Sequence, residues 1–78
     1  MEYPKELRYL KLILLIRDVK YYLRYDIIKY YNIYKIEKTL NINDVYIVME
    51  VENQILNKLI EYNLLNFVRE YKLNLLNF

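Results

Sequence analysis

Seventy-eight residues are enough for one small domain, too short for two cores and marginal even for one. The net charge is only +2, and the chain has no Cys, His, Ser, Gly, Ala or Trp, with Thr39 its only threonine. These absences remove Ser and Cys nucleophiles and imidazole bases, the usual zinc, iron–sulfur and haem ligands, and every glycine-rich phosphate loop, so the expectation is a protein that is not an enzyme and uses no cofactor or metal.

In chain order, Pro4 suits a first helical turn, and residues 5–22 read as helix with Leu7, Leu10, Leu14, Ile16 and Val19 among the apolar positions. The run Leu12 to Ile16 makes this helix apolar nearly all round, the mark of a core or dimer helix. Residues 24–31 read as a second helical segment, continuous with the first to give a helical stretch 5–31, or separate from it. Asn32 offers a break, and residues 33–40 would be the next helix. Asn41-Ile42-Asn43-Asp44 is the clearest turn in the chain, with Asn43 or Asp44 able to cap the next helix. Residues 45–51, VYIVMEV, alternate well and are β-branched, which suits a strand as well as a helix. The last fifteen residues are also two-faced. Two short strands around Glu70-Tyr71 would make a β-hairpin, whereas Leu64, Phe67, Val68, Tyr71, Leu75 and Phe78 share one helical face.

The stretch 36–65 carries a resemblance. It reads IEKTLNIN, then DVYIVMEVENQILNKLIEY, then Asn63-Leu64-Leu65. This resembles the winged helix-turn-helix DNA-binding family, with Ile36, Leu40, Ile42 and Ile47 on the family's apolar positions. Asn41 and Asn63 stand where the family has glycines, positions that need a left-handed backbone. The resemblance implies a mainly α, small winged-helix-type domain over residues 1–78, with a helix-turn-helix at 33–62 and a wing at 64–78. The alternative fold is an all-α helical bundle. A strand at 45–51 followed by two helices would instead resemble the ribbon-helix-helix family, which would present Tyr46, Val48 and Glu50 outward.

On the winged-helix reading the helix from Asp44 enters the major groove of double-stranded DNA as part of a transcriptional regulator. Asn43, Tyr46, Glu50, Asn53, Gln54 and Asn57 are then the base readers, since Asn and Gln pair bidentately with adenine. Lys35 and Lys38 on the preceding helix, with Arg69 and Lys72 in the wing, hold phosphates.

Charge placement cuts both ways. Residues 1–38 carry nine Lys/Arg against five Asp/Glu, and residues 39–78 carry three against five. The first half can meet phosphates, yet the reading helix holds Asp44, Glu50, Glu52 and Glu61 against Lys58 alone. The competing class is a helical protein-interaction module, a factor that binds and modulates a host protein, because Tyr and Phe are favoured at interface centres. Eleven tyrosines could alternatively stack on single-stranded bases or pack half-buried with the hydroxyl in water. Asp26, Asp44, Glu50 and Glu52 are the only carboxylates to consider for Mg²⁺, and their spread along helices suits surface charge better.

With 56% hydrophobic residues in so short a chain, a homodimer through the first helix is expected. The richness in Leu, Ile, Tyr, Asn and Lys, all with AT-rich codons, points to an AT-rich viral, plasmid or other mobile-element origin. The longest apolar run has five residues, far below a membrane span, and no signal-peptide cleavage pattern follows it. Together with the lack of cysteine, this leads to a cytoplasmic protein that does not use a membrane.

Overall fold

A computed structural model describes residues 5–76; Pro4 and Phe78, both used in the sequence reading, lie outside them. Among the described residues there are four α-helices and no strand: α1 (Lys5–Tyr22), α2 (Ile27–Glu37), α3 (Val45–Glu61) and α4 (Leu65–Leu76). The chain is mainly α, in its all-helical form.

The helical stretch expected at 5–31 is two helices. The Arg24 guanidinium donates to the Tyr21 carbonyl at 2.8 Å, adding to the Arg24 N–H that the same carbonyl accepts at 3.3 Å at the end of α1. Asp26 then begins α2, its carboxylate accepting the Lys29 N–H at 3.2 Å as an N-cap does. Asn32, expected as a break, sits inside α2 and donates to the Tyr62 hydroxyl at 3.1 Å. A capping carboxylate restarts the helix, whereas a mid-helix amide with a tertiary partner does not interrupt it. The helix expected at 33–40 likewise starts earlier and stops at Glu37. Beyond it, the Thr39 and Leu40 N–H groups reach back only three residues, to Ile36 and Glu37, the tightened form of a last turn.

The turn at 41–44 is present. The Asn41 side chain accepts the Asn43 N–H at 3.0 Å, and Asp44 caps α3 by accepting from Tyr46 and Ile47 at 3.0 and 3.3 Å. That cap resolves the ambiguous run 45–51 as helix. Val48, Val51, Glu52, Ile55 and Leu59 are all buried, spaced by threes and fours, whereas a strand would have sent Val45 and Met49 inward with Val51. Both are exposed, so burial on one helical stripe overrides β propensity.

α3 ends in a Schellman motif. Asn63 has φ 59°, the one positive value at a non-glycine residue among those described. The Leu64 N–H donates to Leu59 O at 2.8 Å and the Asn63 N–H to Ile60 O at 3.0 Å, the paired bonds that such a cap makes. Asn41, expected to share this conformation, does not: its side chain closes the turn by a hydrogen bond instead.

The wing expected at 64–78 is corrected to α4, and Arg69, Lys72 and the supposed turn Glu70-Tyr71 are all helical. The physical reason is periodicity: Val68 and Tyr71 are buried, and Leu64, Phe67 and Leu75 pack partly buried against the core. A hairpin would also have needed a tight turn without glycine. Phe67 meets Tyr22 edge-on with ring centroids 5.5 Å apart, and Lys11 donates to the Asn74 carbonyl at 2.6 Å. These two contacts set α4 antiparallel to α1.

α1 and α3 each pack against the other three helices, while α2 and α4 flank that pair without touching each other. The principal extents are 39 × 24 × 17 Å. A 17 Å short axis holds about two layers of helices spaced ~8–10 Å apart, so every helix keeps an outer face in water. α1 gives the core Leu12, Leu15, Ile16 and Val19, and Leu23 follows it, whereas α2 fully buries only Ile33, with Tyr30 and Ile36 partly buried beside it. No helix of the described residues is long and apolar enough to cross a membrane.

Candidate interaction surfaces

Three regions of the surface carry chemistry. The first is the outer stripe of α3, where Tyr46, Glu50, Asn53, Gln54 and Asn57 are all exposed and follow one another at helical spacing. Asn43 is exposed just before the cap, with its N–H held by Asn41. Within the stripe, Gln54 donates to Glu50 at 3.1 Å, so an acidic side chain and one amide already engage each other. Lys35 and Lys38 are exposed at the far end of α2, with the Lys35 ammonium 5.6 Å from the Tyr31 ring centroid. Arg69 and Lys72 are exposed on α4, which lies on the other flank of α3 from α2. The fold thus collects the α3 residues on one stripe, places the α2 lysines on a neighbouring helix, and leaves the α4 cations on a helix face with no wing to carry them.

The second region is a buried polar cluster absent from the sequence reading. Arg8 on α1 grips Glu52 on α3 with two bonds, Nε to Oε2 at 3.1 Å and Nη2 to Oε1 at 2.7 Å. The Tyr71 hydroxyl on α4 donates to the same Glu52 Oε2 at 2.5 Å. Glu52 is only 5% exposed, and three donors from two other helices meet its two oxygens. A charge taken this far from water needs such partners. The signal that could have found it is the spacing of Val48, Val51, Glu52, Ile55 and Leu59, which sets the glutamate on the apolar stripe.

Both oxygens of Glu52 are engaged in this cluster. Asp26 and Asp44 cap separate helices, and Glu50 faces Gln54. Among the described residues no group of three or more potential ligands converges.

The third region is the corner where α1 turns into α2. Tyr22, Tyr25, Ile27 and Ile28 surround an open groove of about 850 Å³, closed on its far side by Tyr62 and Leu64. Tyr25 is 86% exposed, Ile27 78% and Ile28 75%. Tyr21 near the end of α1 and Tyr31 in α2 are exposed as well. The cations of this corner engage the chain's own groups at the surface. Arg24 lies over the Tyr21 and Tyr25 rings at 4.2 and 4.6 Å. Lys29 faces Asp26 at 3.7 Å and the Tyr62 ring at 5.1 Å.

Behind the corner, Lys20 on α1 donates to Glu37 on α2 at 2.7 Å. That hydrogen bond holds the Lys20 ammonium above its ordinary range, against the opposing effect of partial burial. The exposed isoleucines are invisible in the sequence, because an apolar residue on a predicted helix is read as core until the packing partner is known.

Comparison with protein-family models, with curated proteins and with solved structures finds no match for this chain.

Proposed function

We propose that the chain is a helical protein-interaction module that docks through the α1–α2 corner. The observation that carries this reading is the grouping of Tyr25, Ile27 and Ile28, each at least three-quarters exposed, around one groove. Contiguous exposed apolar surface marks an interaction site, and aromatic anchors are enriched at the centres of interfaces. A polypeptide surface is the chemistry that fits, because the neighbouring cations already face rings and carboxylates of the same chain.

Photo-crosslinking tests it: a benzophenone side chain at position 25 should give protein adducts in cells, and one at position 53 should not. Nucleic-acid adducts from position 53 with none from position 25 would overturn the reading.

A second reading, DNA binding of the winged helix-turn-helix kind, is favoured by one observation, the alignment of Asn53, Gln54 and Asn57 on the exposed stripe of α3. Glu50 and Glu61 on the same helix oppose it, since a phosphate-lined groove repels carboxylates. On this reading Lys35→Ala with Lys38→Ala weakens binding to all duplexes alike and makes the salt slope shallower by roughly two. No duplex binding at low salt would remove it.

A further inference from the structure

The corner that the proposed docking function uses has a composition that selects its occupant, and we infer that the occupant is a second copy of this chain, packed across a two-fold axis. The inference rests on the docking reading and names the partner.

Three observations lead to it. The first is electrostatic. A nucleic acid or an anionic lipid surface would be drawn by unsatisfied cations, but those nearest the groove are engaged. Arg24 donates to the Tyr21 carbonyl and stacks on two tyrosine rings, Lys29 faces Asp26 and Tyr62, and Lys20 is bonded to Glu37. What remains outward beside these paired charges is hydrocarbon and aromatic surface, and the like charges of two copies stay screened by their own partners.

The second observation is shape. A two-fold interface needs one patch to supply both a projection and a recess. This patch has both: Tyr25 is 86% exposed at the turn, and it stands on the rim of an open groove lined also by Tyr22, Tyr62 and Leu64. The tyrosine of each copy can therefore enter the groove of the other.

The third observation is area. Tyr21, Tyr22, Tyr25, Ile27, Ile28 and Tyr31 are 55–86% exposed. Covering them would remove on the order of 800 Å² per copy, taking roughly 150–250 Å² for a whole aromatic side chain, and about 800 Å² per partner is what a standard stable interface buries. α2 gains most from this, since it fully buries only Ile33. The sequence alone suggests a dimer on the first helix. Its outer stripe, Leu10 and Leu14 with Tyr21, is interrupted by the exposed Arg17, so the corner is the better site and α1 contributes to it only at its C-terminal end.

The test is sedimentation equilibrium of the full chain and its variants in the low-micromolar range. Wild type should run at about twice the chain mass of 9.8 kDa. Tyr25→Glu with Ile28→Glu should weaken association about tenfold or more, a change of 1.4 kcal/mol or above, with unchanged helical circular dichroism because both positions lie in water in the monomer. Leu14→Asp should leave the dimer intact.

The absence of cysteine allows a second, independent readout. Single-cysteine Ile28→Cys should give a covalent dimer with a short bismaleimide, and single-cysteine Asn57→Cys on α3 should not. A monomeric wild type overturns the inference, as does a dimer lost through Leu14→Asp and kept by the corner variant. A monomeric wild type whose position-25 crosslinker captures a different protein overturns self-association alone and leaves the docking reading standing. A monomer with no such adduct overturns both.

Discussion

At the N-terminal end of α1, Arg8 carries a charge to the edge of the core and meets Glu52 and Tyr71. At the C-terminal end of the same helix, about 20 Å further along at 1.5 Å per residue, the corner turns Tyr25, Ile27 and Ile28 out into water. One end takes in a polar group and satisfies it within the chain. The other leaves apolar groups out, with the Arg24 guanidinium over the Tyr25 ring and Ile27 and Ile28 largely in water. Buried polar atoms are tolerated only when partnered, so the first end is explained by architecture alone: it pins α4 and α3 to α1. Hydrocarbon left exposed contributes little to folding, and the docking proposed above would give it a role. The contrast separates residues that hold the fold from residues that the fold presents.

The contrast breaks most sharply on two isoleucines. Ile55 is fully buried at the centre of α3, where Ile28 stands 75% exposed. Ile55→Ala should lower unfolding free energy by about 4 kcal/mol, in the upper part of the range for cavity-forming substitutions because helices pack on α3 from several sides. Ile28→Ala should stay within about 0.5 kcal/mol in the dilute monomer. Urea unfolding measures both. Equal losses at the two sites would mean that the corner is core, and the distinction between the ends would fall.

Arg8→Met tests the polar end. It leaves the Glu52 carboxylate buried with the Tyr71 hydroxyl as its remaining partner in the cluster, which should cost about 3 kcal/mol, the low end for an opened buried pair because Arg8 is itself partly exposed. Arg8→Met with Glu52→Leu should recover part of that loss, since two apolar groups leave no orphaned charge. A double variant no better than Arg8→Met would show that the guanidinium contributes through packing and not through its charge.

Local chemistry is the part of the fold most legible in the sequence. Asp44 as cap, the turn before it and the left-handed Asn63 all come from what a short polar side chain does to the backbone beside it. The same rule applied to Asp26 would split the first helical stretch, but a run of apolar residues on both sides conceals the stop. The helical face of residues 64–76 is visible too, while a family-like exit at Asn63-Leu64-Leu65 pulls the reading toward a wing. Glu52 is lost because a carboxylate in a helix normally faces water, and only its register with Val48 and Ile55 says otherwise. At the candidate sites, sequence reasoning chooses residues that are indeed exposed, since polar side chains announce themselves. It misses the corner, because nothing in an apolar residue's identity tells which of many finds no partner.

Asn63 offers a smaller and cleaner test of the local rules. Asn63→Gly should be neutral or slightly stabilising at φ 59°, while Asn63→Val should lose about 1–2 kcal/mol because a β-branched side chain resists the left-handed region. Equal stability of the two variants would mean that the Schellman turn rearranges, and with it the docking of α4.

The smallest effect sits between the two ends, at the Lys20–Glu37 bridge joining α1 to α2. The hydrogen bond to Glu37 raises the Lys20 pKa in the folded chain above its ordinary value. The folded state therefore holds the proton more tightly than the unfolded state does. The bridge's contribution is complete below the unfolded lysine pKa of about 10.4 and is lost as pH rises through the folded value. Both side chains are about a quarter exposed, so the contribution itself is about 0.5 kcal/mol. Lys20→Met should lie below wild type in stability by a constant margin from neutral pH to about 10, and the margin should close above that. The readout is the difference between the two proteins and not either curve alone. A margin that persists undiminished into strong alkali would show that packing of the Lys20 side chain, and not its charge, joins α1 to α2 there.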